Sequence, residues 1–244
     1  MNKNIEIVSR VISNNYLSKD TFEMVLEVGE HRVYPGQFIN IKIEGVFLRR
    51  PFCVVNSEER NITIIYKIVG EGSLILSKYK TDDWLNILAF LGNIYNYYEK
   101  KPLLIGGGVG CASLYYLAVK FDELKIKPTI IMGFKNVKEI FYHEQFNQLC
   151  NVVITTDDGS YGYKGNPITY LQEFPLNYDK YYACGPKIML DNLLKISRHG
   201  YVSLETRMGC GFGACMGCSI KTSDGYKRIC KEGPIFDAEE LINE

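Results

Sequence analysis

Several absences narrow this sequence before any motif is considered. Neither sign of charge is in excess: 28 lysines and arginines face 28 aspartates and glutamates across 244 residues. A balanced chain carries no electrostatic footprint for nucleic acid or an anionic membrane. Histidine is scarce, and His31, His143 and His199 are scattered, each reading as a surface or capping residue rather than a catalyst. The most apolar stretch, Leu103 to Phe121, is broken by four glycines and by Ser113, so it reads as strand, turn and helix rather than a membrane span. Met1-Asn-Lys-Asn-Ile-Glu-Ile7 lacks the apolar run of a signal peptide, and the expected location is the cytoplasm. Internal repeats and low-complexity linkers are missing too.

What is present falls into three textures. Up to about residue 98 the chain shows short alternating or β-branched runs: Ile5 to Val11, Thr21 to Val28, Gln37 to Ile43, Cys53 to Val55 and Asn61 to Val69. Turn signals such as Tyr34-Pro-Gly36 separate them, which predicts an antiparallel β-barrel over residues 1–98. From 99 to 203 strands alternate with helices. Pro102 to Ile105, Thr129 to Phe134, Val152 to Thr156 and Asp179 to Cys184 read as strands; Cys111 to Phe121, Glu139 to Leu149 and Lys187 to Arg198 read as helices. That rhythm predicts a doubly wound parallel α/β domain. Residues 204–244 are glycine- and cysteine-rich and too short to bury a core unaided, which points to a small lobe held by a metal cluster.

Eight cysteines without an export signal favour reduced or metal-bound thiols over a disulfide framework. Four of them, Cys210, Cys215, Cys218 and Cys230, follow a Cys-x4-Cys-x2-Cys pattern with the fourth after eleven intervening residues. The first two gaps are those of plant-type [2Fe-2S] sites, where a glycine-rich loop aims thiolates inward while backbone N–H groups face the sulfides. Zinc also takes four thiolates, but its usual signature is two separated Cys-x2-Cys pairs, and one such pair is present. Zinc, and inert or disulfide-bonded cysteines, remain the alternatives.

Gly106, Gly107, Gly108 and Gly110 form a turn between the first strand and helix of the second segment, where bare backbone can approach a pyrophosphate. It departs from the strict dinucleotide fingerprint: Ser113 stands where a third glycine would, and the next strand ends in Gly133-Phe-Lys-Asn136 with no acidic residue for a ribose. A plain tight turn is the alternative. Cys184, with Gly185 and Pro186, ends another strand at the same edge and could present a thiol beside a flat nicotinamide ring; a buried structural cysteine is the competing reading. In the first segment Arg49-Arg-Pro-Phe-Cys53 precedes Gly70-Glu-Gly-Ser73. An arginine fork suits a diphosphate and a small thiol or hydroxyl suits a flavin edge, against a solvated rim pair and a hairpin turn.

These motifs, in this order, resemble the ferredoxin-reductase-type flavoproteins with a C-terminal [2Fe-2S] lobe. More narrowly the chain resembles the electron-transfer subunits of NAD-linked (class 1B) dihydroorotate dehydrogenases, most specifically in Ser203 to Cys218 and in Tyr226 to Asp237. The resemblance implies that Arg50, Pro51, Phe52, Cys53, Ile65, Tyr66, Lys67, Gly72 and Ser73 hold FAD. It implies likewise that the Gly106 to Gly110 turn and Cys184-Gly-Pro186 meet NAD, with Cys184 at the hydride site, and that Cys210, Cys215, Cys218 and Cys230 hold the cluster. Three positions depart from the family: Cys53 replaces a usual Ser, Ser73 a usual Thr, and Ala112-Ser113 a usual Pro-Pro pair.

Nicotinamide exchanges a hydride, a cluster one electron, and a flavin either, which explains FAD between the other two. The implied path runs from an FMN in a separate catalytic subunit, which oxidises dihydroorotate, through the cluster and FAD to NAD⁺. The implied assembly is a two-plus-two heterotetramer serving pyrimidine (UMP) biosynthesis, without nucleic acid or membrane. Phe212, Met216 and Ile229 either close the lobe's own core or face the partner. A rival reading is the related subunit of a hydrogenase, a sulfite reductase or a ferredoxin:NAD(P) oxidoreductase; a non-catalytic redox sensor is a rival from another class.

Overall fold

Alternation of apolar and polar residues governs the first hundred residues of the computed structural model, which describes residues 5–242. The first sheet comprises β1 (Ile5–Ser18), β2 (Thr21–Glu27), β3 (Phe38–Lys42), β4 (Arg50–Cys53), β5 (Asn56–Glu58), β6 (Asn61–Lys67) and, after the short helix α1 (Glu71–Leu76), β7 (Trp84–Leu91). Their order is β4-β3-β7-β1-β2-β6-β5, antiparallel throughout. Met24 and Leu26, Ile39 and Ile41, Ile62 and Ile64, and Leu85, Ile87 and Ala89 point inward at every second position and form one core. The two edge strands are consecutive in the chain. Val54 N–H donates to Gln37 O at 2.9 Å and Val55 N–H to Thr63 O at 2.8 Å, so the linker between them closes the sheet into a barrel.

The second sheet begins with β8 (Pro102–Gly107), followed by α2 (Gly110–Ser113) and α3 (Tyr115–Glu123). Then come β9 (Thr129–Phe134), α4 (His143–Leu149), β10 (Asn151–Thr156), β11 (Tyr163–Lys164) and α5 (Pro167–Glu173). The domain continues through β12 (Lys180–Cys184), α6 (Lys187–Ile196) and β13 (Gly200–Ser203). The hairpin β14 (Ser219–Thr222) and β15 (Gly225–Arg228) stands apart, while β16 (Ile235–Asp237) returns to the sheet edge antiparallel to β13. The order β11-β10-β9-β8-β12-β13-β16 reverses between β8 and β12, where open α/β sheets bind ligands at their carboxyl ends.

Local readings differ from the structure in a few places. The helix expected over Cys111 to Phe121 is two helices hinged at Leu114, and only the second half of the helix expected from Glu139 forms, after a single 3₁₀ turn at Val137–Glu139. β7, β11, α5 and β13 carry no strong sequence signal, and Gly70 to Ser73 opens α1 rather than a hairpin.

Candidate functional site

A cavity of about 420 Å³ lies where the barrel meets the second sheet. Closure of the barrel brings β4 beside β6, so Arg50, Pro51, Phe52 and Cys53 border it together with Ile65, Tyr66, Lys67, and Gly72 and Ser73 of α1. The Arg50 side chain lies along Gly72, where a Cβ would come within 3.4 Å of Nε. Its Nη1 donates to Leu48 O at 2.7 Å, and among the described residues its other nitrogens have no acceptor. Such a fork beside bare backbone suits a diphosphate.

Two neighbours contribute walls rather than polar atoms. The Tyr66 ring packs against Phe22 and Phe52 and its hydroxyl donates to Asn14 Oδ1 at 2.8 Å, while burial raises the phenol's pKa. The Ser73 hydroxyl accepts from the Val69 and Gly70 N–H groups and donates to Gly70 O, so it shapes the turn. Lys67 Nζ lies 2.8 Å from Glu139 Oε2, tying the barrel to the segment after β9. Cys53 is half-buried, and burial pushes its thiol pKa well up.

A second cavity of about 640 Å³ is bordered by Gly107, Gly108, Gly110, Gly185 and Pro186. Gly106 lies behind it, with a would-be Cβ 2.7 Å from Cys111 Sγ, so its bareness serves packing. Gly108 has φ +56° and open space at its Cβ position, leaving backbone facing the cavity. Cys184 pairs in register with Gly106 but is fully buried and borders neither cavity; burial pushes its thiol up to about 12, so it is a neutral thiol behind the cavity wall.

Val109, Leu204, Glu205 and Thr206 border both cavities. Sequence reasoning passed over Glu205, whose only signal is an acidic residue just after the last parallel strand. Glu205 is open to the cavities, and desolvation by the surrounding walls raises the pKa of its carboxyl.

The same segment runs on through Met208, at the first cavity, to Cys210. Four thiols then gather as two pairs. Cys218 Sγ lies 3.3 Å from Cys230 Sγ, while the Cys215 thiol adds to the hydrogen bonds on Cys210. Two thiolates for each of two irons match this pairing. Backbone donors face the sulfurs: Ala214 N–H to Cys210 Sγ at 3.2 Å, Cys215 N–H to the same atom at 3.4 Å, and Gly217 N–H to Cys215 Sγ at 3.5 Å. Burial raises the Cys210 thiol, but N–H groups of Cys215, Phe212 and Ala214 outweigh it and hold it down to about 6. The donor set fits an anionic cluster. Ile229 is buried in the core beneath the lobe, whereas Phe212 and Met216 are 43% and 52% exposed beside the exposed Cys215.

Residues 205–242 match the family model of the iron-sulfur cluster binding domain of dihydroorotate dehydrogenase B. The electron transfer subunit of dihydroorotate dehydrogenase B (NAD⁺) from Caldanaerobacter subterraneus is 42% identical, over 96% of this chain and 97% of that protein. The chain belongs to this family. The Fusobacterium nucleatum subunit is 40% identical over 95% of this chain and 96% of its own length. These electron-transfer subunits imply a separate catalytic partner, and the chain is accordingly the electron-transfer component of an oxidoreductase. Among solved structures, the NADH-dependent reduced ferredoxin-NADP oxidoreductase, described in terms of flavin-based electron bifurcation, superposes with TM-score 0.89 at 26% identity, covering all of this chain and 92% of that one. The ferredoxin reductase of carbazole 1,9a-dioxygenase shares the fold alone, with TM-score 0.70 at 20% identity over 79% of this chain and 64% of that one. No helix among the described residues is long and apolar enough to cross a membrane.

Proposed function

We propose that this chain relays electrons from an FMN-bearing subunit, which oxidises dihydroorotate to orotate, to NAD⁺ in the route to UMP. The carrying observation is continuity: Leu204, Glu205 and Thr206 border both cavities, Met208 borders the first, and the same segment then enters the cysteine loop at Cys210. When bound, the [2Fe-2S] cluster supplies one-electron exchange and FAD converts it to hydride exchange.

Cys210 and Cys215 would hold one iron and Cys218 and Cys230 the other, with the loop's N–H groups stabilising sulfur charge. In the first cavity the free nitrogens of Arg50 and the bare backbone at Gly72 would grip the FAD diphosphate, while Phe52, Cys53 and Ile65 line the ring's berth. In the second, Gly107, Gly108 and Gly110 would receive the NAD pyrophosphate, and Gly185-Pro186 would floor the nicotinamide. Cys184, neutral and buried, sets the position of that floor from behind. Glu205, on the common wall, would hold a proton or a hydrogen bond where flavin and nicotinamide meet. On this reading 1–98 is the FAD barrel, 99–203 the NAD domain and 204–244 the cluster lobe, anchored through β16. Phe212 and Met216 face the partner in a two-plus-two assembly.

The test is anaerobic. The chain, purified with its partner, receives dihydroorotate and then NAD⁺ while the visible spectrum is followed. Bleaching of flavin and cluster bands by dihydroorotate, reversed as NADH appears, is the expected result. Bands that respond to NADH and ignore dihydroorotate would reject the substrate.

A further inference from the structure

The cysteine loop is not held by its ligands alone. Arg228, at the end of β15, lies two residues before Cys230. Its Nε donates to Glu232 Oε2 at 3.0 Å and its Nη2 pairs with Glu232 Oε1, a two-point fork across one turn. Glu232 Oε2 also accepts the Arg228 backbone N–H at 2.8 Å. The remaining arm, Nη1, reaches the other ligand-bearing segment and donates to Gly213 O at 2.7 Å.

That carbonyl belongs to the same peptide group as the Ala214 N–H, which donates to Cys210 Sγ at 3.2 Å. A relay therefore runs from guanidinium through one peptide to a cluster thiolate. A cation on the carbonyl oxygen polarises the peptide and strengthens its N–H as a donor. Gly213 makes this presentation possible: its φ is +90°, and a Cβ there would lie 2.6 Å from Lys231 Cδ.

We infer that Arg228, held by Glu232, is a positioning residue that sets the reduction potential of the cluster through the Gly213–Ala214 peptide. The inference rests on the [2Fe-2S] reading. Four thiolates and two sulfides outweigh the irons, so the cluster is anionic and gains a further negative charge on reduction; hydrogen bonds to its sulfurs favour the reduced form. Arg228 raises the potential, and Glu232 moderates it by neutralising the guanidinium while fixing its direction.

The two partners act with opposite signs, which separates this role from a purely structural one. In the complete complex, Arg228→Gln, Glu232→Gln and Arg228→Lys are compared by EPR-monitored redox titration and by the half-life of the visible cluster band in chelator. Arg228→Gln is expected to lower the midpoint potential and Glu232→Gln to raise it. Arg228→Lys keeps the charge but not the fork, so it should keep the potential nearer the wild-type value while the cluster band decays several-fold faster. Equal shifts of one sign, or unchanged potentials in fully loaded variants, would overturn the inference. A wild-type complex without a [2Fe-2S] signal would instead reject the cluster assignment on which it rests.

Discussion

Replacing Gly110 by alanine tests the proposed nicotinamide floor. A Cβ at this position would lie 2.6 Å from Cys184 O, 2.7 Å from Cys184 C and 2.8 Å from Gly185 Cα, all backbone atoms. Ordinary contact begins at about 3.4 Å, so the turn and the end of β12 must part by roughly 0.8 Å, with no flexible side chain to absorb the shift. Overpacking of this kind costs about 1–3 kcal/mol. In a chain of this size that lowers the melting temperature by about 2–12 °C. Because the strain falls at the switch point of the sheet, up to about 5–150-fold of NADH affinity goes with it. The assay pairs thermal denaturation of the flavin-loaded complex with NADH titration under anaerobic conditions. Gly108→Ala is the control: it meets no atom within 4 Å, so its cost is the left-handed φ, about 1 kcal/mol, and its methyl enters the cavity. NADH affinity should fall in both variants and stability mainly in Gly110→Ala. Wild-type melting and NADH affinity in Gly110→Ala would refute the placement of the turn against Cys184-Gly185.

Arg50→Ala should lose FAD on gel filtration, by about tenfold or more in affinity, since a charge-assisted bond is worth about 1.5–3 kcal/mol; full flavin occupancy would displace the diphosphate from this arginine. Cys215→Ser should remove the cluster absorption and EPR signal and stop NADH formation while leaving partner FMN reduction intact; undiminished NADH formation would break the relay. Phe212→Glu and Met216→Glu should weaken partner binding, read by analytical ultracentrifugation, with the cluster spectrum unchanged. Cys184 has a folded-state pKa of about 12 against an ordinary 9.0. The unfolded chain releases this proton first, so the stability from a buried neutral thiol is fully present below pH 9 and drains away between pH 9 and 12. Melting curves from pH 8 to 11 should show a decline to which the thiols of Cys53, Cys111 and Cys150, likewise raised by burial, also contribute, and Cys184→Ala should make it shallower.

Much of the architecture is local information. Alternation in Met24–Leu26 and Ile62–Ile64 marks barrel strands because side chains change face at every residue, whatever the strand pairs with. Strand-helix rhythm after Pro102 announces a parallel sheet because its crossovers need helices. The 4-2-11 spacing of cysteines is legible because a cluster loop wraps within one short segment. β7 was not legible: Trp84-Leu-Asn-Ile-Leu-Ala-Phe-Leu91 turns uniformly apolar at its end, where Phe90 and Leu91 are both buried, so the period of two is lost.

Residues able to bear phosphate, flavin and iron can be picked out along the chain, since those roles depend on side-chain type and near neighbours. How they meet is a matter of the folded chain. Barrel closure by Val54 and Val55 places Arg50 beside Gly72, and the reversal between β8 and β12 sets Gly110 against Cys184. The same tertiary folding put Lys67 on Glu139, withdrew the Tyr66 hydroxyl to Asn14, buried Cys184, set Glu205 on a common wall and ran Arg228 to Gly213. Each of these joins residues distant in the chain through hydrogen bonds and close packing. Such contacts depend on where the backbone goes, and no local pattern records that.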